Sequence, residues 1–105
     1  MPSPEASWEG LDGFDRLLEH RVRLSILVLA SNSDAITFSR FKQLLNETDG
    51  SLGTHLRKLE DAGYLDMNKE FQGRRPVTWY SLTSNGRKAL KSHTRTLERL
   101  LSGQG

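Results

Sequence analysis

Between Asp49 and Leu65 the chain places Leu52, Leu56 and Leu59 at i, i+4 and i+7, and fills the opposite side with Ser51, Thr54, Arg57, Lys58 and Asp61. That spacing predicts a short helix with one buried stripe. Gly63 follows as a residue suited to ending such a helix in left-handed backbone, and a strand begins at once. Small polar and basic residues beside a rigid apolar spine are what a helix needs to enter a DNA major groove.

The same reading extends in both directions. Leu11 to Ala30 reads as a helix capped by Asp12, with Phe14, Leu17, Leu18 and Val22 on its apolar side and Leu24 to Ala30 apolar nearly all round. A helix of that kind is buried on more than one side, and a partner subunit is one candidate cover. Residues 31–34 form a loop, and Ile36-Thr37 a very short strand. Thr37 or Ser39 caps a second helix, Phe38 to about Leu45, with Phe41, Leu44 and Leu45 inward. Asn46 to Gly50 is the turn, and Thr48 or Asp49 caps the third helix. Gly50 and Gly53 each cost about 1 kcal/mol in a helix interior. Either the first turn tolerates them, or their bare backbone admits a phosphate closely; glycine permits both.

Tyr64 to Phe71 and Val77 to Leu82 read as strands joined by Gln72-Gly73-Arg74-Arg75-Pro76, with Tyr80 and Leu82 inward and Trp79 on the outer face. Thr83-Ser84-Asn85-Gly86 opens a last helix to about Leu101. Its stripe of Leu90, Leu97, Leu100 and Leu101 is narrow, as in a helix–helix seam. The order helix, strand, helix, helix, strand, strand, helix predicts a winged helix-turn-helix: mainly α, with a small antiparallel β wing. Residues 1–10, rich in Pro, Ser and Glu, are expected to be mobile. Residues 11–101 are expected to form the DNA-binding and dimerisation domain, and residues 102–105 a frayed end.

Composition narrows the functional classes. A chain of 105 residues is one domain on ordinary priors. The absence of cysteine excludes disulfides, thiolate metal sites and a cysteine nucleophile. It fits a reducing compartment, and the N-terminal sequence has neither the basic nor the apolar region of a signal peptide; a cytoplasmic location is the expectation. The longest apolar run, Ile26 to Ala30, falls far short of the roughly 18 residues of a membrane span. The net charge of +2 is uneven: three basic against six acidic residues through Thr37, then twelve against seven. That asymmetry suggests a face offered to a polyanion, the plain alternative being an ordinary solvated surface.

Four stretches together resemble the small winged-helix transcriptional regulators of the MarR/ArsR-like group. They are His20 to Leu27, Leu52 to Leu65, the wing Phe71-Gln72-Gly73-Arg74-Arg75-Pro76, and Tyr80 to Arg87. The likeness covers about Leu11 to Leu101. It implies a cytoplasmic homodimer on a pseudo-palindromic operator, with the third helix in the major groove and the wing on the backbone or minor groove. Repression is the commoner outcome for such proteins. The group commonly carries polar or basic residues where this chain has Gly53 and Thr54, so the glycine removes one possible base contact.

The candidate contacts on the third helix are Ser51, Thr54, Arg57 and Lys58. Arg57 suits guanine or a phosphate, and Lys58 a phosphate. Arg74 and Arg75 at the wing tip suit a minor groove or two phosphates; a surface ion pair with Glu70 or Asp66 is the alternative. Arg40 and Lys42 are further candidates for backbone contacts. Leu18, Leu90, Leu97, Leu100 and Leu101, with Trp8, are candidates for the dimer seam. His20, His55 and His93 fall on three helices without ligand spacing, so no metal or cofactor is expected, and His55 reads as a hydrogen-bonded packing residue. No phosphate loop, serine elbow or His-Glu zinc pair is present, and an enzyme is not expected. The partners expected are double-stranded DNA and a second copy of the chain, with no membrane and an unknown effector. The competing reading is a winged helix that binds proteins through Trp79 and the last helix, since fold alone does not decide function.

Overall fold

Short polar side chains set where each element begins. The computed structural model describes residues 15–103. Asp15 opens it by accepting from the Leu17 amide, which starts a 3-10 turn over Arg16–Glu19. His20 then adopts extended backbone (φ −82°, ψ 122°), and its ring nitrogen accepts from the Val22 amide to cap α1, Arg21–Ser31. The single helix expected from Leu11 to Ala30 is therefore broken at His20. A side chain that bonds its own neighbouring amide competes with the helical ladder, and apolar periodicity carries no sign of that. Asp12, Phe14 and Trp8, together with the expectation for residues 1–10, lie outside the described residues.

Thr37 closes the two-residue strand β1, Ile36–Thr37, and caps α2, Phe38–Leu45, by accepting from the Arg40 amide. Asn46 ends α2 in left-handed backbone, φ 54°, a conformation asparagine tolerates better than most residues. Thr48 caps α3, Asp49–Asp61. Gly50 thus lies inside the helix, not in the turn. Of the three residues expected inward on α2, Phe41 is fully buried and Leu45 packs on the core, but Leu44 remains 45% exposed. It lies across a mainly apolar hollow of about 480 Å³ from Trp79.

The sheet has the order β1-β3-β2 and is antiparallel throughout. Strands β2, Leu65–Gln72, and β3, Arg75–Leu82, pair from Leu65↔Leu82 to Gln72↔Arg75. The turn is therefore only Gly73-Arg74, tighter than the five-residue connection expected. Gly73 at φ 67° supplies the backbone that so short a turn requires. Pro76 sits inside β3 because β1 pairs only with Trp79 and Tyr80, so near Pro76 the strand has a neighbour on one side alone. Tyr80 is buried edge-on to Phe41, with ring centroids 6.1 Å apart. Trp79 faces the other way and is half-buried, its Nε1 covered but without a described acceptor.

The core gathers one stripe from each helix: Val22, Ile26 and Leu27 of α1, Phe41 of α2, and Leu52, Leu56 and Leu59 of α3. The last helix, α4, Ser84–Leu101, adds Leu90. Two residues expected at a dimer seam are used up here. Leu18 is 0% exposed and Leu90 9%, both packed inside their own chain.

The C-terminal ends of α3 and β3 are tied to each other. Gly63, at φ 80°, ends α3 while the Tyr64 amide donates back to the Leu59 carbonyl and the Gly63 amide to Glu60. The Thr83 hydroxyl caps α4 by accepting from the Gly86 amide and donates to the Gly63 carbonyl at 2.6 Å. The Thr83 amide donates to the Tyr64 carbonyl. A Cβ on Gly86 would stand 2.3 Å from that same carbonyl oxygen. Gly86→Ala is accordingly expected to cost about 2–3 kcal/mol in urea unfolding, the scale of an overpacked site. Gly53→Ala, with open space around its Cβ, should instead gain up to about 1 kcal/mol; equal effects of the two would contradict the packing described.

Candidate nucleic-acid interface

The candidate recognition face is built on α3, whose buried stripe fixes its rotation. With Leu52, Leu56 and Leu59 in the core, Thr54, Arg57 and Lys58 are turned to solvent. Neither Arg57 nor Lys58 has an ion pair or hydrogen bond to a described residue. Thr54 donates its hydroxyl to the Gly50 carbonyl, at 2.9 Å. Ser51 differs from its neighbours. It is half-buried, and its hydroxyl donates to Glu47 at 2.9 Å, so it is an anchor of the turn before it is a free donor. No neighbour lies within 4 Å of a Cβ built on Gly50 or Gly53, which leaves open backbone on this helix.

Arg74 and Arg75 stand at the end of the hairpin, exposed and without an ion pair to a described residue. The alternative partner Glu70 is instead bonded by Asn68, at 3.0 Å. On α2, Lys42 is engaged with Asp49 at 2.7 Å and Arg40 with Gln43 at 3.3 Å. Both remain exposed, and exposed pairs of this kind are weak.

The histidines that the sequence scattered over three helices are used structurally. The rings of His20 and His55 lie 4.3 Å apart, centroid to centroid. The Arg23 guanidinium approaches His55 Nδ1 at 3.2 Å and donates from Nε to the Leu17 carbonyl at 2.7 Å. A guanidinium only donates, so Nδ1 must accept and the His55 proton sits on Nε2. This triad fastens the 3-10 turn and α1 to α3. His93 of α4 is buried and accepts at Nδ1 from the Asp15 amide, 3.3 Å. Asp15 also accepts the Tyr64 hydroxyl, a bond that pushes the phenol up to about 12. Sequence reasoning missed Asp15, Glu47 and Arg23, whose partners are set by tertiary placement. No group of three or more metal-ligating side chains occurs among the described residues.

A family profile described as a winged helix DNA-binding domain matches residues 22–101. The chain belongs to that family. The winged helix domain is 38% identical over 72 residues to an uncharacterized protein of Methanocaldococcus jannaschii, covering 69% of this chain and 78% of that one. A solved structure described as a transcriptional regulator homologue from Pyrococcus horikoshii superposes with a TM-score of 0.81 at 27% identity, covering 94% of this chain and 96% of the other. A zinc-responsive MarR family member of Lactococcus lactis shares the fold, with a TM-score of 0.59 at 23% identity; the match covers 79% of this chain and 56% of that one. No described helix is long and apolar enough to cross a membrane.

Burial lowers the His93 imidazole below its ordinary 6.5, against the opposing pull of Asp15 and Glu19. Burial also lowers His55, aided by His20 and Arg23 and opposed by Glu47. Both rings are therefore neutral in the fold more readily than in the unfolded chain. Their contribution to stability is complete above the unfolded value and is lost as pH falls through the folded values. The urea midpoint is expected to be flat from about pH 8 to 7 and to decline below about 6.5. The double variant His55→Gln/His93→Gln should show a shallower decline; an identical slope would remove these rings from the acid response.

Proposed function

We propose that this winged helix domain is a sequence-specific transcriptional regulator that binds a pseudo-palindromic operator as a homodimer, α3 lying in the major groove and the wing on the backbone or minor groove. The observation that carries this reading is a pair of cationic surfaces, Arg57 and Lys58 on α3 and Arg74 and Arg75 on the hairpin, all exposed and none neutralised by a described carboxylate. Exposed guanidinium and ammonium groups bind phosphate by releasing condensed counterions. Arg57 on the rigid helix is also a candidate for bidentate reading of guanine. Arg40 and Lys42 would add backbone contacts. The regulation proposed is repression by occupancy of the operator, in the cytoplasm, without catalysis.

The seam proposed for the dimer lies on the last turns of α4, where Leu97 is 38%, Leu100 41% and Leu101 78% exposed. A leucine cluster at the end of an amphipathic helix favours a matching helix over water. Two copies would present two copies of α3, and successive major grooves on one face of DNA are about 34 Å apart.

Selection from a random-sequence duplex library at two salt concentrations tests the function. An enriched palindrome is expected. Weak, salt-sensitive binding with no enrichment would favour the protein-interaction module instead. On the selected duplex, Arg74→Ala/Arg75→Ala should weaken binding to all sequences and lower the salt slope by about 2, and an unchanged slope would remove the wing. Leu97→Glu should yield a monomer in light scattering; a persistent dimer would place the seam elsewhere.

A further inference from the structure

Phe71 is 74% exposed, and no other phenylalanine, tyrosine or tryptophan among the described residues is classed with the exposed ones. Its place follows from the register. Leu65, Met67, Lys69 and Phe71 alternate onto one face of β2 and lie opposite Leu82, Tyr80, Thr78 and Pro76. At its base that face is the core face, with Leu65 2% and Tyr80 7% exposed. Toward the tip this face leaves the core: exposure rises to 38% at Met67 and 74% at Phe71. Six residues of strand carry Phe71 about 20 Å beyond Leu65. The ring thus continues the apolar face of the sheet into a region where this chain has nothing left to cover it.

What surrounds the ring decides its partner. Arg74 follows it in the turn and Arg75 opens β3, and Lys69 precedes it on the same face. An apolar protein surface laid over Phe71 would have to desolvate these cations. A duplex offers phosphates to the cations and base and sugar edges to the ring. The hairpin is also stiff at this point, because its turn has only two residues and Pro76 stands across from Phe71.

The geometry points to Phe71 as an apolar wedge that enters the minor groove between base pairs, bending the duplex, while Arg74 and Arg75 hold the adjacent phosphates. The proposal rests on the DNA-binding reading above and adds to it a deformation of the DNA. Apolar side chains from minor-groove proteins part base steps and kink the helix. Pyrimidine–purine steps yield most easily, so the wedge would favour a TpA step in an A·T-rich flank, a preference made without a hydrogen bond to any base.

The test uses the full chain and the selected operator duplex, or a duplex with a central TpA step if selection yields none, with a fluorophore at each end. The wild type is expected to bring the ends closer. Phe71→Ala should bind roughly tenfold more weakly and leave the duplex straight, with an unchanged salt slope because no charge is removed. Phe71→Leu, which keeps an apolar wedge, should retain part of both effects. Thermal melting is expected to be the same for all three proteins, since the ring packs on little in its own chain. If Phe71→Ala binds and bends as the wild type does, the wedge is overturned while DNA binding stands. If the wild type binds no duplex at all, both readings fall together.

Discussion

The rest of this fold depends on how closely two backbone corners meet. The corner after α3, Gly63-Tyr64, and the corner after β3, Thr83 to Gly86, are joined by the Thr83 hydroxyl and amide and by the near-contact of Gly86 with the Tyr64 carbonyl. A side chain on Gly86 would force the corners apart. Because they meet, the hairpin that leaves α3 must return beside it, and α4 must start from the same point. The direction of the wing and the direction of α4 are therefore set relative to the end of α3, so the proposed DNA-binding and pairing surfaces share one rigid reference.

A second fastening works from the other end of the described chain. Asp15 binds its own turn through one carboxylate oxygen, Tyr64 through the other, and His93 through its amide. The Arg23, His20 and His55 group lies across the same seam from α1 to α3. Polar networks of this sort contribute modest net stability but specify one arrangement of the elements they join. Here they hold the start of α1 against α3 and α4 without adding apolar bulk to a small core.

Most of the architecture was legible in the sequence because it rests on local rules. The stripe Leu52-Leu56-Leu59, the stop at Gly63, the caps narrowed to Thr37 or Ser39 and to Thr48 or Asp49, and the alternation around Tyr80 each follow from periodicity or from a side chain reaching its own backbone. The misses have physical causes of a different kind. His20 breaks the first helix with a hydrogen bond that no pattern announces. Leu18 and Leu90 are taken by the chain's own core, and Leu44 is left out of it, because periodicity gives a residue's face but not which element faces it. The candidate contacts Arg57, Lys58, Arg74 and Arg75 could be named from charge and position. That Ser51 is held by Glu47, or that Phe71 lies beyond the core, depends on tertiary distances that a sequence does not display.

The wing also carries a hazard. From Asp66 to Gln72, β2 is exposed and pairs on one side only, so it offers another chain a row of free amides and carbonyls. Extended edges of that kind are where folded proteins begin to aggregate. Asp66, Lys69 and Glu70 on this edge, with Arg74 and Arg75 at its tip, burden any strand added there with charges to desolvate. The hairpin can remain bare enough to reach a ligand because its own charges discourage it from joining another hairpin, so solubility and reach are served by the same residues.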